Sequence, residues 1–164
     1  MWLALTTPPE VRFTVVSKEN PAGQAIASQV ERMDLPEEQK LLFCRACGST
    51  EWDDNEGKHF SIDAATRDYA THQRVAKAKV LVVTTGTAFK AVDHWHPEIA
   101  AHIGASCLFV HEEGQQAAEL LSVSAVSMTR VPCFVIYVGD GNQSPGGIKD
   151  SKLAQFLRVH RAPS

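Results

Sequence analysis

Apolar positions along the chain fall into a period of two in some stretches and of three to four in others. Residues 11–17 (Val-Arg-Phe-Thr-Val-Val-Ser) alternate as a strand does, and Asn20-Pro21 then offers an N-cap with proline at the first helical position. Ile26, Val30 and Met33 follow at spacings of four and three, which predicts a helix with one apolar face. Leu35-Pro36 ends it, Glu37-Glu38-Gln39 is solvated, and Lys40-Leu41-Leu42-Phe43 opens a second apolar run, so 11–46 reads as strand, helix, strand. After an acidic turn or linker at 51–58, His59-Phe60-Ser61-Ile62 predicts a short strand and Asp63 caps a helix over about 64–76. The run 79–85 is continuously apolar and β-branched, the signature of a central strand covered on both faces. Phe89, Val92, Trp95, Ile99 and Ile103 then define one helix, bent where Pro97 removes a ladder hydrogen bond. A strand at 106–111, a helix at 115–123 and a strand at 133–138 follow. The Gly139-Asp140-Gly141 turn, an edge strand at 145–148 and a final helix bearing Leu153, Phe156, Leu157 and His160 on one face complete the chain.

Composition narrows the function classes. A chain of 164 residues with 44% hydrophobic content can bury one sizeable core, and a net charge of −3 leaves no basic footprint for phosphate, so nucleic acid is disfavoured. Residues 1–57 carry five Lys/Arg, ten Asp/Glu and no histidine, whereas 58–164 carry eleven, nine and all seven histidines, which predicts a boundary near Gly57. No apolar run approaches the roughly 20 residues of a membrane span. Met1–Glu10 has neither a basic signal region nor an Arg-rich amphipathic pattern, so an intracellular protein is expected, with cytoplasm, cilium and mitochondrion not distinguished. Four cysteines do not make a secreted disulfide scaffold and are read as reduced.

Cys44-Arg45-Ala46-Cys47-Gly48 is the strongest chemical signal of the first half. Two thiols three apart with a following glycine match half of a zinc ribbon, the remaining ligands having to come from His59, His72 or a partner. The same pair suits a redox dithiol or two structural thiols, and all three readings stay open. His94, His96 and His102 point to different sides of a helix and read as solvated or interface residues. Cys133 reads as a buried strand cysteine. No helix follows Gly139-Asp140-Gly141 at once, so it is not a phosphate loop, and no motif frames a catalytic serine.

Val131-Pro132, a strand and a glycine turn occur in the order of the cis-proline motif of the thioredoxin family, and residues 58–162 resemble that family in their order of elements. With Pro97 matched to the family's kink proline, Phe89 and Val92 fall on the two active-site cysteines and Val83 on the buried aspartate. The resemblance implies an α/β, thioredoxin-like three-layer fold, with a mixed central sheet between helices (58–164) and an N-terminal strand-helix-strand extension (1–57). Without thiolate, resolving thiol or proton carrier, it also implies a redox-inactive member. The implied function is a non-catalytic structural or protein-interaction subunit of a larger assembly. It would bind other protein subunits through Phe89, Val92, Trp95, Val131 and Pro132, with no small-molecule substrate and no cofactor. The alternatives are a thiol-disulfide oxidoreductase using Cys44 and Cys47, and a zinc-binding interaction module built on the same pair.

Overall fold

The computed structural model describes residues 1–17, 20–47, 60–63, 69–92, 96–112 and 130–138. They form α1 (Trp2–Thr6), β1 (Arg12–Ser17), α2 (Asn20–Arg32), α3 (Glu37–Lys40), β2 (Phe43–Cys47), β3 (Ser61–Asp63), α4 (Tyr69–Lys77), β4 (Val80–Thr84), α5 (Thr85–Val92), α6 (Pro97–Gly104), β5 (Ser106–Glu112) and β6 (Phe134–Val138). The six strands make one sheet in the order β3-β2-β4-β1-β5-β6, and every pairing among them is parallel. No helix among the described residues is long and apolar enough to cross a membrane.

The α/β class expected from the alternating rhythms is present, but two finer expectations are corrected. The sheet is parallel rather than mixed: β1, β3 and β4 are each followed by helical chain that returns the next strand in the same direction. Residues 1–57 are not an extension laid against a second unit. β1 lies between β4 and β5, with Phe13 beside Val80 and Leu108, and β2 lies between β3 and β4.

Strand alternation splits the core in two. On one face, Phe13 of β1, Phe43 of β2 and Val80 and Val82 of β4 meet Ala27 and Val30 of α2 and Ala4 of α1. On the other, Val16, Cys44, Leu81, Val83 and Phe109 meet Val75 of α4, Ala88 of α5 and Ile99 and Ile103 of α6. The single bent helix expected over 89–103 is two helices. His96 is the N-cap of α6 and Pro97 takes its first turn, where a missing N–H costs nothing. Phe60 precedes β3 rather than lying in it, Asp63 is the last residue of β3, and of the helix expected over 64–76 the described part is α4 from Tyr69. The elements expected at 115–123, 145–148 and 151–160, and the Gly139-Asp140-Gly141 turn, lie outside the described residues.

Lys79, nearly buried before β4, closes the end of α1. Its Nζ donates to the carbonyl oxygens of Ala4 and Thr7, the latter at 2.7 Å, and to Thr7 Oγ1 at 3.0 Å. Replacing Lys79 with Met leaves those carbonyls without their donor. A loss of about 1–3 kcal/mol of unfolding free energy is expected, read as a lower urea midpoint. An unchanged midpoint contradicts the closure.

Candidate functional site

In a doubly wound parallel sheet the crevice opens at the carboxyl edge, where successive helices depart to opposite faces. Here that position is the end of β1. The chain leaves β1 for α2 on the face of Val80 and Val82, whereas its neighbour β4 leads into α5 on the face of Leu81 and Val83. Ser17 ends β1 and pairs in register with Thr84, the last residue of β4. By alternation both side chains point to the α2 face, as does Glu112 at the end of β5 on the other side of β1.

Hydroxyl groups and close packing shape this edge. Thr84 Oγ1 accepts from the Thr87 backbone N–H at 3.1 Å and donates to Thr87 Oγ1 at 2.9 Å, so it caps the first turn of α5. Thr85 Oγ1 donates to the Ser17 carbonyl at 3.2 Å, tying α5 to the tip of β1. Gly23, in the first turn of α2, sits directly on the sheet. A Cβ there would lie 3.3 Å from Val82 Cγ1, 3.4 Å from Arg45 Nε and 3.5 Å from Ser17 Oγ. That approach lets the 13-residue α2 bring its N-terminus down onto the hydroxyls, with the buried Arg45 alongside. Val16 pairs with His111, whose ring stacks on Phe109 at 6.3 Å between centroids. Burial holds its pKa down at about 4, so it is neutral and carries no charge into the crevice.

None of these residues was singled out from the sequence. One signal was there to be read: a glycine inside a helix costs about 1 kcal/mol against alanine, so Gly23 marks a close approach rather than a solvated face.

The residues that were singled out fall elsewhere. Phe89 and Val92 lie on α5, but their side chains, like the whole of Trp95, are outside the described set. Val131 and Pro132 are exposed ahead of β6, and Cys133 is half-buried rather than buried. Cys44 and Cys47 both lie within β2, where a separation of three puts their thiols on opposite faces of the sheet. Neither is in a disulfide, and the strand does not bring them together on one ion. Cys47 Sγ sits 3.7 Å from the Ile62 carbonyl, and desolvation pushes the Cys44 pKa up to about 12, the opposite of an activated thiol. Native protein treated with an aromatic disulfide reagent is therefore expected to lose the half-buried Cys107 and Cys133 thiols first, with Cys44 and Cys47 released only on unfolding. Fast modification of Cys44 in the native state contradicts this.

Histidine behaves differently from expectation. His96 and His102, read as solvated or interface groups, are buried, and His96 lies beside His72 and Glu98. No protein-family model, no curated protein and no solved structure matches the chain.

Proposed function

We propose that this chain is a binding protein for a phosphate-bearing small molecule of the nucleotide class, held at the carboxyl edge of the sheet over β1. The observation that carries the reading is the departure of α2 and α5 to opposite faces from the paired strand ends Ser17 and Thr84. An anion at that edge meets the N-terminal dipole of α2 beside Ser17, with Thr84 holding the first turn of α5 in place through Thr87. The parallel order, with β1 inside the sheet, favours this over a redox-inactive thioredoxin-like subunit.

Binding without turnover is the expected mode. Strand-loop-helix connections that transfer phosphoryl groups place a lysine and then Ser or Thr after the second glycine, for the outer phosphates and the magnesium ion. After Gly23 this chain has Gln24 and Ala25. Titration with ATP, ADP and inorganic phosphate, followed calorimetrically, tests the reading. Saturable nucleotide binding is expected, tightened about tenfold or more by Gln24→Lys through a charge-assisted contact. No saturation by any of the three, or equal affinity in a Ser17→Ala, Thr84→Ala double variant, overturns it.

A second reading rests on β6. Phe134, Ile136 and Val138 are 79%, 47% and 52% exposed on one face of a strand that ends the described sheet order. An apolar edge strand of this kind accepts a strand from another protein subunit, as the interaction-subunit expectation requires. Native extracts in which the chain runs only as a free monomer, unchanged by Phe134→Lys, would count against it.

A further inference from the structure

The geometry points to a divalent transition-metal site, zinc by its donor chemistry, between α4 and α6 on the face of the sheet away from α2. It is separate from the carboxyl-edge crevice and uses none of its residues.

Three side chains from two packed helices converge there. His72 belongs to the first half of α4, His96 is the N-cap of α6, and Glu98 lies in the first turn of α6. The Glu98 carboxylate reaches both rings, with Oε1 3.1 Å from His72 Nδ1 and Oε2 3.3 Å from His96 Nδ1. The rings meet edge to face with centroids 5.3 Å apart, and one ligand atom from each of the three residues lies within 4.8 Å of the other two. Zinc bonds of about 2.0–2.1 Å in a tetrahedron set neighbouring ligand atoms roughly 3.3 Å apart, and each ring nitrogen already stands at about that spacing from one of the two carboxylate oxygens. The set closes from 4.8 Å onto one ion by rotation of His72, whose side chain is 30% exposed.

The protons argue in the same direction. His96 Nδ1 faces the Ile99 backbone N–H at 3.4 Å, which makes it the acceptor that caps α6. An accepting Nδ1 presents a lone pair to the Glu98 carboxylate 3.3 Å away, and two acceptors at that distance repel. Placing the proton on Nδ1 instead relieves the repulsion and sacrifices the cap. A cation bound by Nδ1 and the carboxylate turns that repulsion into two attractions, at the expense only of the long 3.4 Å cap contact. The His96 ring is inaccessible to solvent while the His72 and Glu98 side chains are 30% and 27% exposed. The ion would therefore enter from the surface side and keep a position for water. Two imidazoles and one carboxylate are a donor set that zinc accepts with such an open position.

The full chain, stripped with a chelator, is titrated with Co²⁺ as a spectroscopic probe and with Zn²⁺ in competition. One equivalent of Co²⁺ is expected to give visible bands of four- or five-coordinate geometry, displaced by Zn²⁺. Zn²⁺ should also raise the melting temperature, because α4 becomes bonded to α6. Glu98→Gln and His72→Gln, at partly exposed positions that leave the His96 ring in place, are each expected to weaken binding by about 100-fold or more. Circular dichroism of both variants checks that they fold. Absence of Co²⁺ bands in the native chain, or one-equivalent binding that survives both variants and so belongs to other residues, overturns the site.

Discussion

Acidification from pH 7 to pH 4 is expected to remove several kcal/mol of stability, with a steep fall in the urea midpoint beginning below pH 6.5. His102 and His111 are the cause. Desolvation holds each pKa at about 4 against an ordinary 6.5; at His102 the bond to the Phe13 carbonyl opposes the shift and Arg12 adds to it. Above pH 6.5 both rings are neutral folded or unfolded and contribute no slope. Between 6.5 and 4 the unfolded chain takes up the protons and the folded one does not, so stability falls with pH throughout that window. At about 1.4 kcal/mol per pH unit, each histidine accounts for on the order of 3 kcal/mol, against a total near 5–15 kcal/mol for a domain. His102 cannot relieve the strain by moving. Its Nε2–H donates to the Phe13 carbonyl at 3.1 Å, its own carbonyl accepts from Ser106 Oγ at 3.0 Å, and Ser106 Oγ lies 2.7 Å from Thr14 Oγ1. A His102→Gln variant is expected to show about half the acid slope. A midpoint flat from pH 7 to pH 4 contradicts the assignment.

Gly23→Val is expected to weaken nucleotide binding about tenfold or more while leaving a folded chain. Even a Cβ at this position meets Val82, Arg45 and Ser17 between 3.3 and 3.5 Å, and the two further methyls of valine have no room without moving α2 off the sheet. Overpacking of this kind costs about 1–3 kcal/mol, which a domain of ordinary stability survives. The ligand loses more, because a displaced α2 no longer directs its N-terminus at the Ser17 and Thr84 hydroxyls. Calorimetry should show at least about a tenfold loss of affinity, and Gly23→Ala an intermediate effect. Native affinity in Gly23→Val removes α2 from the site.

Much of the local structure was legible. The β-branched run 79–85 announced β4 as a strand buried on both faces, and Leu81, Val82 and Val83 are 0–1% exposed. Asn20-Pro21 opened α2 where it begins. What the rhythm of apolar residues does not encode is which strand lies beside which. Phe13 and Val80 are neighbours across 67 positions, and nothing in either stretch names the other. Reading β1 as part of a separate unit followed from that silence, and so did the mixed sheet. The crevice was missed for a related reason: Ser17, Thr84 and Glu112 become a group only once β1 is set between β4 and β5. Cys44 and Cys47 were overvalued because a spacing of three gathers thiols in a turn and separates them in a strand. His96 was undervalued because its helix was drawn one turn too long, through Pro97 rather than from it.

The central place of β1 has a consequence for biosynthesis. β1 leaves the ribosome before either neighbour, and it pairs on one side with Val80–Thr84 and on the other with Ser106–His111. At about 5–20 residues per second, it waits on the order of 10 s for both partners, its apolar Phe13, Val15 and Val16 unpaired meanwhile. No fragment ending before Glu112 can close the sheet around it. Nascent chains stalled in that interval are the ones that need a chaperone, although the Lys79 tether of α1 has by then been made.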